Sequence, residues 1–246
     1  MKFKAVKVKL KEILPFRALF LQESNFQIRY NACHERGWSD SYLLSCDGLA
    51  IGYGSIKGKV ELKDRDAVFE WYVMPPYRRR SSLIFPQLLS ASGAAYVECQ
   101  SNDLLLSSLL FEFSANINAD YALFKDHSLT ELSIPEVVFR HRRNGDPDDV
   151  GGGDYLLLLR GEIVATGGFL LHYNKPFADL YMEVHKDHRR QGFGSFIVQE
   201  VKKECYLAGR VPAARSQVVN KASKSTLVKA GLRVAGFMLT GSVKTG

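Results

Sequence analysis

The chain has 246 residues, 46% of them hydrophobic and 24% charged, and a formal net charge of +7. This composition excludes a disordered or collagen-like polypeptide, and the length suits one large domain or two of about 120 residues. The positive balance favours anionic partners, whether nucleic acid, a membrane surface or a polyanionic small molecule. No apolar run approaches the roughly 18 residues that cross a bilayer, so no membrane partner is expected.

The chain opens with "MKFKAVKVKLKEIL", where Lys alternates with apolar residues at period two, the pattern of a strand. It lacks the apolar core and small-residue cleavage site of a signal peptide, so a cytoplasmic location is expected. Cys33, Cys46, Cys99 and Cys205 form no CxxC pair and have no His at ligand spacing. They predict reduced thiols packed as small hydrophobes, and no metal site. "YLLSCDGLAIGYG", from Tyr42, reads as strand, Asp47-Gly48 turn and strand, a hairpin. "YVMPPYRRRSSL" then leads into a helical pattern, followed by the strand candidate "AAYVECQ".

Charge, Pro and a triple Gly crowd into "RHRRNGDPDDVGGGD", Arg140 to Asp154, the best candidate for a linker. The expected organisation is a first domain over 1–140, a linker over 141–153 and a second domain over 154–246. Beyond the linker the first half repeats. "YLLLLRGEIVATGG" begins at Tyr155, 113 positions after Tyr42, with Arg160-Gly161 as its turn. "EVHKDHRRQGFG" begins at Glu183, 111 positions after Tyr72. Two similar offsets carrying the same succession of elements argue for duplication.

The second half resolves further. Asp154 to Leu159 and Ile163 to Leu171 make the hairpin, and Ala178 to Val184 a third strand. Ser195 to Ala208 has helical spacing and stops at Gly209. Val211 to Ser216 is strand-like, Lys221 to Ala230 helical up to Gly231, and "LRVAGFMLTG" the last strand. Such an order describes an α+β fold, a mixed, mostly antiparallel sheet flanked by helices.

Between the third strand and the helix stands "RRQGFG". Its pattern, Arg/Gln-x-x-Gly-x-Gly/Ala, would arise by chance in about one chain of this length in four, so alone it is weak. The preceding strand, the following helix and "NKASKSTLVKAGL" from Asn220 to Leu232 strengthen it. With them the sequence resembles the GNAT superfamily of N-acetyltransferases. Arg189, Gly192 and Gly194 match one family pattern, and Asn220, Ser223, Gly231 and Leu232 a second. The resemblance implies two tandem GNAT-like domains, the second of which binds acetyl-coenzyme A. Arg189, Arg190, Gln191, Gly192, Phe193, Gly194 and Ser195 would cradle its phosphates, glycine permitting close backbone approach and the helix presenting free N–H groups. Met182, Glu183 and Val184 would pair through their backbone with the pantetheine arm, and Asn220 would touch the cofactor near the second helix.

Aligning Tyr72 with Glu183 sets Ser81 opposite Gly192 and Leu83 opposite Gly194. Both glycines are missing, although Arg78, Arg79 and Arg80 remain, so the first domain reads as degenerate. The general acid that many family members carry as Tyr falls on Leu227 here, which donates no proton. Glu183 is the leading candidate for the base, with Tyr181 and His185 behind it, and Glu70 in "FEWYV" would take an acceptor-binding role if the two halves face one another. The expected reaction is transfer of acetyl to a primary amine by direct attack, the acceptor being a small-molecule amine or a protein N-terminus. A non-catalytic acyl-CoA-binding or regulatory module is the alternative. Nucleic acid is disfavoured as a partner, because no nucleic-acid signature is visible and coenzyme A accounts for the basic cluster.

Overall fold

The computed structural model describes residues 1–61, 63–147 and 150–244. The elements follow in the order β1 (Phe3–Val8), α1 (Leu10–Glu23), α2 (Asn31–Glu35), β2 (Ser39–Cys46), β3 (Leu49–Lys57), β4 (Ala67–Val73), α3 (Ser81–Ser92), β5 (Tyr96–Gln100), α4 (Leu104–Phe113) and β6 (Ser114–Asp126). They continue with β7 (Val137–His141), β8 (Tyr155–Leu159), β9 (Glu162–Leu170), β10 (Phe177–Val184), α5 (Phe193–Leu207), β11 (Val211–Gln217), α6 (Lys221–Lys229) and β12 (Leu232–Val243). Among the described residues no helix is long and apolar enough to cross a membrane.

Two compact units emerge. Unit 1 comprises Met1–Phe26, Tyr30–Asp120 and Gly236–Gly246; unit 2 comprises Gln27–Arg29 and Tyr121–Ala235. In unit 1 the strands run β1-β2-β3-β4-β5, antiparallel except for the parallel β4–β5 pair. Met238 to Ser242 of β12 extend that sheet, antiparallel to Gln100 to Tyr96. In unit 2 the order is β7-β8-β9-β10-β11, parallel only between β10 and β11. Tyr121 to Lys125 of β6 add to its edge, antiparallel to Gln217 to Ala213. The units therefore depart from the division expected at 140 and 154: residues 121–140 count with unit 2, and residues 236–246 with unit 1. Local periodicity cannot show this, because it concerns pairing between segments more than 80 residues apart.

The duplication is visible in backbone detail. Asp47 and Gly48 have φ of 49° and 88°, Arg160 and Gly161 φ of 52° and 91°. Both hairpins thus turn with two consecutive left-handed residues, the type that matches strand twist. Each also slips register at the corresponding place, between Leu44 and Ser45 and between Leu157 and Leu158.

One local expectation fails. The Lys–apolar alternation stops at Val8, and Leu10 to Leu14 open α1, where the Lys9 N–H donates to the Glu12 carboxylate (3.1 Å). Ile13, Arg17 and Phe20, spaced by four and three, are buried on one face of this helix. Helical spacing over about two turns overrides a period-two pattern that covers only its first residues. The four cysteines are buried and free; burial pushes the Cys33 thiol up to about 11 and the Cys205 thiol up to about 12.

Candidate functional site

The site in unit 2 begins where two strands part. β10 and β11 pair only at Phe177↔Val211, Ala178↔Pro212 and Asp179↔Ala213, whereas β10 stays paired with β9 as far as Val184↔Ala165. The His185 N–H donates to the Val164 carbonyl at 2.9 Å. Antiparallel alternation then makes Glu183 and Thr166 the next hydrogen-bonded pair, so the backbone groups of Met182 and Val184 turn to the opposite side, toward the cleft that β11 has left.

The loop after β10 follows directly on this strand end. Lys186–His188 form a single 3₁₀ turn, and Arg190 (φ 63°) and Gly192 (φ 92°) are left-handed on either side of Gln191. Gly192 is the N-cap of α5. Alternating left-handed residues just before a helix gather successive N–H groups into a concavity, and the first helical N–H groups have no intrahelical acceptor. Arg189 Nε donates to the Val184 carbonyl (3.3 Å), tying the loop to the strand end. Gln191 Nε2 donates to the Asp187 carbonyl (3.4 Å), and Arg190 and Gln191 are exposed. Phe193 and Ser195 are buried, so these two offer their backbone rather than their side chains. Gly194 fills a different need: a Cβ there would stand 3.2 Å from Thr226 Cγ2 and 3.4 Å from Val184 Cγ2. It lets α5 approach both β10 and α6.

Asn220 caps α6, its Oδ1 accepting the Ser223 N–H at 3.0 Å. Its amide oxygen therefore has a structural task besides any contact with a ligand. Leu227 is buried in the core.

Alternate residues of β10 put Asp179, Tyr181 and Glu183 on one face. Glu183 is exposed at the strand end. The loop read as a linker is a wall beside it. Arg142 holds that loop through three carbonyls, those of Gly153 (2.7 Å), Pro147 (2.8 Å) and Gly151 (2.8 Å). Thr166 Oγ1 donates to the Val150 carbonyl (2.5 Å). A Cβ on Gly151, whose φ is 71°, would come within 2.7 Å of Glu183 Oε2, and one on Gly153 within 2.6 Å of the Gly167 nitrogen. The glycines are there because backbone lies directly against the candidate base and the sheet. Asp148 and Asp149 of the expected linker lie outside the described residues.

Further along the face, Tyr181 donates to Asp154 Oδ2 (3.1 Å), and burial followed by the Asp154 charge raises its phenol. Asp179 is buried and pairs with Arg215 Nε (3.2 Å), whose Nη2 donates to the Tyr173 hydroxyl (2.6 Å). Burial outweighs Arg215 and pushes the Asp179 carboxyl up to about 6. His185, exposed in part, faces Asp187 at 3.7 Å rather than the Glu183 face. Sequence reading missed Arg142, Asp154, Asp179 and Arg215. The one signal available was the spacing in "FADLYMEV", where Asp, Tyr and Glu recur at every second position of an apolar strand.

Unit 1 has the same frame with different chemistry. β4 and β5 pair only at Ala67↔Tyr96 and Val68↔Val97, and the Met74 N–H donates to the Ile51 carbonyl (2.9 Å) as His185 does to Val164. Arg78 Nε donates to the Val73 carbonyl (2.9 Å) as Arg189 does to Val184. Here, however, the 3₁₀ turn Pro75–Arg80 runs straight into α3, and Ser81 is right-handed helical (φ −54°). Leu83 is exposed. Glu23 pairs with Arg78 and accepts from the Tyr72 hydroxyl (2.8 Å). Glu70, expected to meet an acceptor, is sealed: Arg17 binds both its oxygens (2.9 Å each), with Tyr53 Oη at 2.9 Å and His34 Nε2 at 3.0 Å. Its carboxyl is held far below the usual range, these partners outweighing the cost of burial.

Residues 120–231 match the model of the acetyltransferase (GNAT) family. Among solved structures, an acetyltransferase of that family from Colwellia psychrerythraea shares the fold with TM-score 0.75 and 14% identity, over 99% of this chain and 100% of its own. A tandem GNAT protein from the clavulanic acid biosynthesis pathway superposes with TM-score 0.62 and 9% identity, over all of both chains. A GCN5-related N-acetyltransferase from Sphaerobacter thermophilus gives TM-score 0.61 and 14% identity, over 99% and 96%. No curated protein matches the sequence. Residues 120–231 thus resemble the GNAT acetyltransferase family, and the chain over its whole length shares a fold with solved GNAT proteins, one of them tandem, a fold that supports acyl transfer in general.

Proposed function

We propose that unit 2 binds acetyl-coenzyme A and transfers its acetyl group to a primary amine. The observation that carries this reading is the conjunction, on one strand end, of an opened β10 edge and a left-handed, glycine-capped helix start. An edge that turns the Met182 and Val184 backbone groups outward suits an extended chain bearing amides. The N–H groups around Gly192 and the start of α5, with Arg189 and Arg190 beside them, suit a pyrophosphate. Among the described residues no carboxylate pairs with Arg189, so its remaining donors face outward.

When bound, the thioester supplies an acyl carbon open to nucleophilic attack. Glu183 accepts the proton that the amine loses, and the wall of Val150 to Gly153, fixed by Arg142, limits how the acceptor approaches that carboxylate. The carbon–nitrogen bond forms as the carbon–sulfur bond breaks, and the sulfur leaves as thiolate. A thiol of ordinary pKa about 8.5 is a tolerable leaving group near neutrality, so a Leu at 227 does not forbid turnover. The acceptor is a small-molecule amine or a protein N-terminus, and a cytoplasmic setting fits the reading.

Glu183→Gln tests the assignment: turnover should fall about a hundredfold or more while acetyl-CoA affinity stays within about twofold. Unchanged turnover would remove Glu183 as the base. Buried Leu227 favours the second reading, a non-catalytic acyl-CoA-binding module. Binding without thiol release across a panel of amines would establish that reading instead.

A further inference from the structure

The strand order begins at β1 and ends at β7, and these two edges are guarded differently. β1 carries Lys4 and Lys7 within the strand and Lys2 and Lys9 on its flanks. Such charges discourage an edge strand from pairing with another chain. β7 has no lysine and no proline, and its register with β8 is unbroken from Val137↔Leu159 to His141↔Tyr155. Val138, at its middle, is 58% exposed.

The backbone groups left over on β7 can be placed. The Arg142 N–H donates to the carbonyl of Asp154, the residue before β8, at 2.8 Å. Alternation then aims the groups of Arg140 and Val138 at β8 as well, and turns those of Val137, Phe139 and His141 to the outer edge. The Arg140 guanidinium takes the His141 carbonyl (3.1 Å). Among the described residues, the outward N–H and C=O groups of Val137 and Phe139 meet no protein partner.

The residues around this edge are complementary to themselves. On either side of Val138 stands an apolar residue, Val137 or Phe139; two steps away stand Glu136 on one side and Arg140 on the other. In an antiparallel pair with a two-fold axis at Val138, Val137 of one copy faces Phe139 of the other. Each of their free donors and acceptors is then used. Val138 meets Val138 in a non-hydrogen-bonded pair, where side chains come closest. Glu136 falls beside Arg140 of the second copy. Because Glu136 already holds Arg160 (2.6 Å) and Arg140 holds Asp146 (2.6 Å), these cross-pairs favour the register more than they add affinity.

We propose that β7 is a dimerisation edge, at which a second copy of this chain pairs antiparallel about Val138 and continues the sheet. A patch that matches itself is what a two-fold dimer requires. The inference does not depend on the acyl-transfer reading.

The test is sedimentation velocity of the full chain from about 1 to about 200 μM, a range suited to the modest affinity of a small interface. A shift from one chain to two is expected. Val138→Lys sets like charges opposite each other at the two-fold and should raise the dissociation constant at least about tenfold. Val6→Lys, at an exposed position of the β1 edge, should leave it unchanged. Hydrogen exchange identifies the edge itself: the Val137 and Phe139 amides should gain protection as concentration rises, whereas the Val138 amide, bonded to β8, stays protected throughout. A chain that remains single across the series would overturn the proposal. So would a dimer insensitive to Val138→Lys, or one whose Phe139 amide exchanges equally fast at every concentration, since the copies would then meet elsewhere.

Discussion

The loops after β4 and after β10 start from one plan and end in different chemistry. In each, an arginine five residues beyond the strand end donates Nε to the strand's last carbonyl, 2.9 Å in unit 1 and 3.3 Å in unit 2. In unit 2 the chain then passes through left-handed Arg190 and Gly192, and among the described residues the arginine's other donors meet no carboxylate. In unit 1 a right-handed Ser81 begins the helix directly, and Glu23 takes the arginine. Retaining the arginine therefore does not retain the left-handed loop that follows it. Backbone conformation decides whether N–H groups converge, and a single carboxylate decides whether the guanidinium is available.

The buried carboxylates tell the same story. Glu70 is surrounded by Arg17, His34 and Tyr53, a set that favours its charged form. Asp179 has Arg215 as its ionic partner, and burial prevails. Unit 1 has matched its buried charge, whereas unit 2 keeps an incompletely matched one on the same strand face as the candidate base. Incomplete compensation of this kind is common where a site does chemistry.

This contrast can be broken most forcefully at Arg17. Arg17→Met leaves Glu70 buried without its bidentate partner and should cost about 3–5 kcal/mol in urea unfolding. A loss below about 1 kcal/mol would mean that Glu70 is not the sealed charge described. Next comes Gly192→Val, which forces a β-branched residue into a left-handed backbone. About 1–3 kcal/mol of strain is expected, with acetyl-CoA affinity falling at least tenfold. Ser81→Gly should create no new coenzyme site, because Glu23 still occupies Arg78; a second site in that variant would show that the glycine alone is decisive.

Acid titration sharpens the comparison. The Asp179 carboxyl lies near 6 in the folded chain and near 3.8 unfolded. The folded state binds that proton more tightly, so this group's contribution to stability is greatest at low pH and is lost as pH rises from about 4 to about 6. Glu70 has the opposite sign: its contribution is present above about 4.5 and fades as pH falls further. Unfolding midpoints of Asp179→Asn followed from pH 4 to 7 should show a smaller decline than the parent chain. An identical profile would remove Asp179 as the titrating group.

Much of the frame is legible in the sequence, for local reasons. Asp-Gly and Arg-Gly turns between apolar runs give both hairpins. Gly209 and Gly231 mark helix ends, and "RRQGFG" between strand and helix places the loop. What escapes depends on distant partners. Glu70 looks like a lone charge in "FEWYV" until Arg17, 53 residues earlier, folds onto it. The stretch from Arg140 to Asp154 has the composition of a linker, yet Arg142 holds the carbonyls of Pro147, Gly151 and Gly153, and Gly151 and Gly153 lie against Glu183 and β9. Periodicity is equally silent on the last strand serving unit 1, since the pairing of Met238 with Gln100 leaves no local trace.

The most direct measurement is calorimetric titration of the whole chain with acetyl-CoA, repeated with Gly192→Val. One coenzyme per chain, lost in the variant, is the predicted result. Two coenzymes per chain would contradict the closed loop in unit 1, and no binding would contradict the cradle in unit 2.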